Sequence, residues 1–251
     1  MNDLDHYLRI LLETDRFTLI DSALNGLQVD RADREIRKMA FAVDASLESF
    51  RRAAEYEADL LFVHHGLFWG KPAPLRGTLY SRIRHLLEHD LALYAVHLPL
   101  DAHPELGNNA GIAKCLQLEK VEAFGEYKGV KIGYQGTLPG PLGLEEIGER
   151  ICGKRDTYLG ILPYGPEQIR KIGIVSGGAP ETVHQAIEEG LDLFITGDAS
   201  HAIYHDCLEA GINVLFAGHY STEIWGVRQL AERVRADNRL ETCLLDIPTG
   251  F

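Results

Sequence analysis

The sequence predicts an α/β protein made of two pseudo-symmetric lobes, each a mostly parallel sheet flanked by helices, with a metal site between the lobes. Two observations carry this. First, short continuous apolar runs such as LLFV, LFIT and NVLFA alternate with amphipathic segments of helical length. That alternation marks βαβ units and sheets covered on both faces. Second, part of the chain is duplicated. IRKMAFAVDASLESFRRAAEYEADLLFVHHG, from Ile36, aligns without a gap onto IRKIGIVSGGAPETVHQAIEEGLDLFITGDA, from Ile169, an offset of 133 residues. Ala53 meets Ala186, Glu55 meets Glu188 and Asp59 meets Asp192. YAVHLPLD, from Tyr94, matches FAGHYSTE, from Phe216, at an offset of 122. The second copy is therefore shorter by 11 residues, lost from the connection that holds KPAPLRG in the first. A fixed internal period is decisive for fold class.

In the first copy, strands are expected near 37–43, 59–64 and 92–97, and helices near 46–57, 78–89 and 107–117. In the second, strands fall near 170–175, 192–196 and 213–218, with helices near 180–190, 200–210 and 221–235. The intervening residues 121–168 are rich in Gly and Pro. There GEYKGVKIGYQG reads as a hairpin, and PLGLEEIGERICG as one helix closed by a glycine. The expected lobes are 1–120 and 121–251, the second divided into the 121–168 connection and the 169–238 repeat.

The 251 residues suit one large domain or two ordinary ones. Apolar residues make up 45% and charged residues 25%, and no apolar run approaches a membrane span, so no membrane partner is expected. The acidic, amphipathic MNDLDHYLRILLETD lacks the order of a signal peptide, which makes cytoplasmic residence the expectation. Cys115, Cys152, Cys207 and Cys243 form no CxxC pair, so neither a disulfide framework nor a thiolate zinc site follows. The formal charge of −12 argues against nucleic-acid binding, which rests on Lys and Arg.

The stretch LFVHHGLFWG places two adjacent histidines, His64 and His65, directly after an apolar strand. In open α/β sheets ligands bind beyond the carboxyl ends of the strands, and the unusual polar residues collect there. His64 and His65 end one strand, with Gly66 as a flexible turn. His97 ends the next, with Asp101 in the loop after it. His219 ends the matching strand of the second copy, and Glu223 enters the following helix. Imidazole and carboxylate without thiolate is a ligand set for zinc, iron or manganese. Even three of these histidines with the two carboxylates exceed one catalytic zinc and suit two divalent ions about 3.5–4 Å apart. TGDASH adds Asp198 and His201, where Asp198 reads as the N-cap of the next helix. His85 and His89 read as an ordinary exposed helix face. His103 is expected to support Asp101, and Trp69 and Trp225 are expected to pack.

At these residues the chain resembles the Nif-three-like proteins, named GTP cyclohydrolase 1 type 2 homologues. The resemblance rests on NGLQV at 25–29, VHHGLFW at 63–69, HLPLDAHPELGNN at 97–109, FITGD at 194–198 and GHYSTE at 218–223. It implies a two-lobed protein with a dinuclear metal centre held by His64, His65, Asp101, His219 and Glu223, and His97 beside the metals as a proton shuttle. It implies a toroidal homohexamer, a trimer of dimers. It also implies a metal-dependent hydrolase that acts on a small nucleotide through metal-activated water. The alternative is a non-catalytic metal-binding ring that stores or delivers metal or serves a regulatory role. No GxxxxGK[ST] phosphate loop is present.

Overall fold

A computed structural model describes residues 1–32, 35–153, 158–238 and 240–251. In chain order the elements are α1 (Asn2–Leu11), β1 (Gly26–Val29), β2 (Lys38–Asp44), α2 (Leu47–Glu55), β3 (Leu60–His65), α3 (Gly77–Glu88), β4 (Ala92–Ala95), α4 (Leu98–Ala102), α5 (Asn108–Cys115), β5 (Glu119–Tyr127) and β6 (Val130–Leu142). There follow α6 (Leu144–Cys152), β7 (Gly160–Pro163), β8 (Ile169–Ile174), α7 (Val183–Glu188), β9 (Leu193–Thr196), α8 (Tyr204–Ala210), β10 (Asn213–Phe216), α9 (His219–Asn238) and β11 (Glu241–Leu244).

Packing divides the chain into two units, Met1–Leu100 with Val227–Ile247, and Asp101–Gly226 with Pro248–Phe251. The sequence placed the boundary at 120/121. Ile112, Ala113 and Leu116 of the α5 region, which precede that boundary, pack in the second unit's core. Near the C-terminus, β11 returns to pair with β2 in the first unit.

The first unit's sheet runs β1-β4-β3-β2-β11. Its two faces separate by residue size. Ala40, Ala42, Leu61, Val63, Leu93 and Ala95 pack with Phe50 and Ala53 of α2 on one side. On the other, Phe41, Phe62 and Tyr94 stack at 5.5 and 5.9 Å between ring centroids. Period-2 alternation of apolar residues on both faces is what a covered parallel strand requires. Helix α2 starts where a sequence signal demands it, since Ser46 and Ser49 form a reciprocal capping box.

The second unit's sheet runs β5-β6-β8-β9-β10-β7. Among the described residues, five of the nine strand pairings are parallel. In the second sheet parallel β8, β9 and β10 form the centre with antiparallel strands on both sides, whereas in the first the parallel set β4-β3-β2-β11 runs to one edge and β1 pairs antiparallel at the other. The expected hairpin is longer than GEYKGVKIGYQG. It joins β5 to β6 through Lys128 and Gly129, both at positive φ (50° and 84°), as a tight hairpin turn needs. Gly153 closes α6 in the left-handed conformation, as expected. Strands β1, β7 and β11 were not expected. Each has four residues, too few to show a period.

Strand register supports the duplication and refines it. Met39 pairs with Leu60 and Ile172 with Leu193, so the offset of 133 holds in both strands. Leu60 pairs with Ala92 and Leu193 with Asn213, which makes the third strand's offset 121 rather than 122. In register terms His97 thus corresponds to Gly218, and His219 lies one residue further on, at the start of α9.

An aspartate clasp recurs in both copies. The Asp59 carboxylate accepts from the backbone N–H groups of Arg37 (2.7 Å) and Lys38 (2.9 Å). Asp192 accepts from Arg170 and Lys171, both at 2.8 Å. Burial opposes the charge on Asp59, but these donors and the Arg31 guanidinium outweigh it and hold its pKa below the ordinary 3.8. The folded state therefore prefers the carboxylate. Its contribution is complete above the unfolded pKa and is lost as pH falls through the folded one. Asp59→Ala is expected to cost about 1–3 kcal/mol at neutral pH. In urea unfolding the gap between variant and wild type should shrink as pH is lowered through 4 towards 3. A gap independent of pH would refute the clasp's electrostatic part.

Candidate metal centre

Neighbouring side chains on a strand point to opposite faces, but at the end of β3 the ladder stops and the two imidazoles converge. His64 and His65 lie 4.6 Å apart between ring centroids, and His97 lies 5.1 Å from His64 and 5.7 Å from His65. One ligand nitrogen from each of the three falls within 4.8 Å of the others. Gly66 is needed for close approach, not as the flexible turn the sequence suggested. A Cβ there would overlap the Gln28 side chain and come within 2.6 Å of the Ala95 Cβ.

Each ring is oriented through Nδ1. His64, fully buried, places Nδ1 3.0 Å from the Val96 carbonyl. A carbonyl only accepts, so Nδ1 carries the proton and Nε2 the lone pair. His65 Nδ1 lies 2.9 Å from Asp44 Oδ1, its partner in the β2–β3 register. His97 Nδ1 lies 2.9 Å from Asp21 Oδ1. The Asp21 carboxylate also accepts from Ala23 N, Asn25 Nδ2 and Leu98 N. Burial opposes ionisation of Asp21, yet His97, Asn25 and Ala23 outweigh it and lower its pKa. Asn25 in turn accepts from the His97 backbone N–H at 2.8 Å.

The second unit builds its own set. Asp101 is buried, and its Oδ1 accepts from Asn108 Nδ2 (2.8 Å) and Ser176 Oγ (2.9 Å). Asn108 and Asn109 are fully buried and fix this arrangement to the backbone. Asn108 Oδ1 accepts from Gly226 N, and Asn109 Oδ1 accepts from Ser176 N. On α9, His219 and Glu223 share one face at i, i+4, with His219 Nε2 3.2 Å from Glu223 Oε2. His219 Nδ1 lies 2.9 Å from Asp198 Oδ1. Burial disfavours the imidazolium of His219, but Glu223 and Asp198 outweigh burial and raise its pKa to about 9.

The floor beneath this pair is glycine. Gly177 has φ +64°, and a Cβ on it would overlap Glu223 Oε1. A Cβ on Gly178 would come within 2.9 Å of Asp198 Oδ2, and one on Gly197 within 2.7 Å of the Gly177 carbonyl. SGG at 176–178 and TGD at 196–198 are thus space-making segments.

Several sequence expectations change here. Asp198 is no N-cap. Helix α8 begins at Tyr204, and Asp198 instead holds His219. His103 Nδ1 accepts from Glu105 N and Leu106 N, forming a local turn. Trp69 lines the three-histidine corner, its ring 5.0 Å edge-on from His97. Trp225 packs against the second unit's core, as expected. His85 and His89 stack at 4.0 Å, but no third donor joins them in a metal-capable group among the described residues.

The residues fit a metal. Four imidazoles, each steered by an oxygen at Nδ1, present Nε2, and three of those oxygens are carboxylates. This second layer orients metal-ligating histidines and raises their basicity. Sequence reading singled out these candidate donors, missed Asp21 and Asp44, and took Asp198 for a helix cap rather than the support of His219. The signal available was an acid at the end of the neighbouring strand, as Asp44 is to His65 and Asp198 is to His219.

Residues 1–249 match the Duf34/NIF3 (NGG1p interacting factor 3) family. The chain belongs to the Duf34/NIF3 family. It is 48% identical over 231 residues to a protein of Archaeoglobus fulgidus, covering 92% of each chain, and 46% identical over 231 residues to one of Deinococcus radiodurans, covering 92% of this chain and 88% of that one. Both relatives are named GTP cyclohydrolase 1 type 2 homolog. A solved structure from Thermus thermophilus superposes with a TM-score of 0.87 at 38% identity, covering 100% of this chain and 99% of that one. No helix among the described residues of this NIF3-family chain is long and apolar enough to cross a membrane.

Proposed function

We propose that this chain is a metal-dependent hydrolase that holds two divalent ions on His64, His65, Asp101, His219 and Glu223. The observation that carries this reading is the common Nδ1 anchoring of His64, His65, His97 and His219. A structural histidine does not need a carboxylate behind it and a basic nitrogen in front. Iron, zinc and manganese all accept this ligand set. When bound, such a pair lowers the pKa of a coordinated water toward neutrality and polarises a substrate oxygen.

The chain's own residues take separate roles. Glu223 has two oxygens, is buried and sits in a glycine-lined floor, which suits a bridging carboxylate. Asp101 is fixed by Asn108 and Ser176 and has no freedom to rotate away. His97 is anchored through both Nδ1 and its backbone N–H, so its Nε2 is a positioned proton carrier. The relatives' name makes GTP the first substrate to try. The cytoplasm and the ring of six implied by the resemblance belong to the same proposal, and a mass measurement in solution reads the ring directly.

The test is a nucleotide and phosphoester panel with iron-, manganese- and zinc-loaded protein, beside Glu223→Ala. Turnover that falls at least a hundredfold in the variant, together with lost metal content, is expected. Full activity in Glu223→Ala would sink the assignment. Metal bound tightly with no turnover on any member of the panel would favour a storage or delivery role.

A further inference from the structure

A cavity of about 700 Å³ opens in the first unit between the segment after α1 and the loop after β3. Its volume lies within the roughly 300–1,000 Å³ range of small-molecule sites. Two of its lining residues, Asp21 and Asn25, are the ones that hold His97 from behind. The cavity and the histidine corner therefore share a wall. The loops are tied to each other, since Leu24 N donates to the Phe68 carbonyl at 3.0 Å.

The lining has a definite chemistry. Phe68, half-buried, offers an aromatic surface, and Thr14 and Ser22 offer hydroxyls. Arg9 is paired with Asp15, and the Asp21 carboxylate is occupied by hydrogen bonds from Ala23 N, Asn25 Nδ2 and Leu98 N and by the His97 ring. Lys71 lines the cavity with no ion-pair partner among the described residues, so its ammonium is the lining charge left to meet an anion. A site with an aromatic wall, hydroxyls and one uncompensated cation suits a flat ring that carries an anionic group.

We propose that this cavity seats the non-reacting part of the substrate, a ring-bearing phosphorylated molecule of nucleotide size. The hydrolase reading enters only in making the occupant a substrate. The cavity as a binding site stands on its own lining.

The experiment is calorimetric titration of the full chain with GMP, guanosine and inorganic phosphate, on wild type, Lys71→Glu and Ala73→Trp. GMP should bind wild type. Lys71→Glu should weaken GMP at least tenfold and leave guanosine unchanged. Ala73→Trp, which fills the cavity from an exposed loop position, should remove both. Metal content by elemental analysis should be the same in all three proteins. GMP affinity unchanged in both variants, no binding of GMP to wild type, or phosphate binding as tightly as GMP would each overturn the proposal. Glu223→Ala separates the two readings. If GMP still binds that variant and the wild type turns over no nucleotide, the cavity stands and the hydrolase assignment falls.

Discussion

Gly177→Ala is expected to lower metal affinity about 10–100-fold, the usual effect of disturbing a ligand's support. Two separate costs meet at this position. The backbone sits at φ +64°, where an L side chain costs about 1–2 kcal/mol. The new methyl would also occupy the space of Glu223 Oε1, so the carboxylate must leave its place. Gly129→Ala separates the two costs. It has φ +84° and nothing within 4 Å of an added methyl, so it carries the conformational penalty alone. Both variants should lose thermal stability, Gly177→Ala at least as much as Gly129→Ala, while only Gly177→Ala should lose metal in an equilibrium titration. Equal metal binding by the two variants would show that the floor under Glu223 is not needed for the site.

Asn108→Ala is the second large effect, and it falls on stability first. The side chain is fully buried, donates to Asp101 and accepts from Gly226 N. Removing it strands a backbone donor and half-releases a buried carboxylate, at about 1–3 kcal/mol for each lost partner. The expected total is about 3 kcal/mol, read from the urea midpoint. Asn108→Asp is the informative companion. It keeps the volume and the acceptor for Gly226 N but sets a second carboxylate against Asp101. Metal should rescue the aspartate variant more than the alanine one, because added cation offsets added negative charge. Identical destabilisation of both variants with metal present would mean that Asp101 lies outside the metal's reach.

The candidate donors were legible in the sequence because a rule of the fold concentrates them. Polar residues that end apolar strands face the binding edge of an α/β sheet, and His64, His65, His97 and His219 all stand at or just past such ends. Their supporting acids were not legible. Asp21 reaches His97 across 76 residues, and Asp44 and Asp198 reach their histidines across 21 each. Strand order and register bring Asp44 and Asp198 to their histidines, and the segment before β1 brings Asp21 to His97. The two parallel strand triplets could be read from their apolar runs, whereas β1, β7 and β11 could not. An edge strand of four residues takes its conformation from the strand it pairs with, not from its own period. The offset error at the third strand has a similar origin. Matching histidine to histidine is natural in a sequence, but the hydrogen-bond ladder aligns His97 with Gly218.

The carboxylates proposed as ligands, Asp101 and Glu223, both belong to the second packing unit, as does the proposed imidazole ligand His219. On that proposal a change at 101 or 223 sets how much positive charge the protein tolerates, whereas a change at 219 sets which element is preferred, since imidazole discriminates between borderline and harder ions. Natural variation within this one unit can thus retune elemental preference without giving up neutralisation.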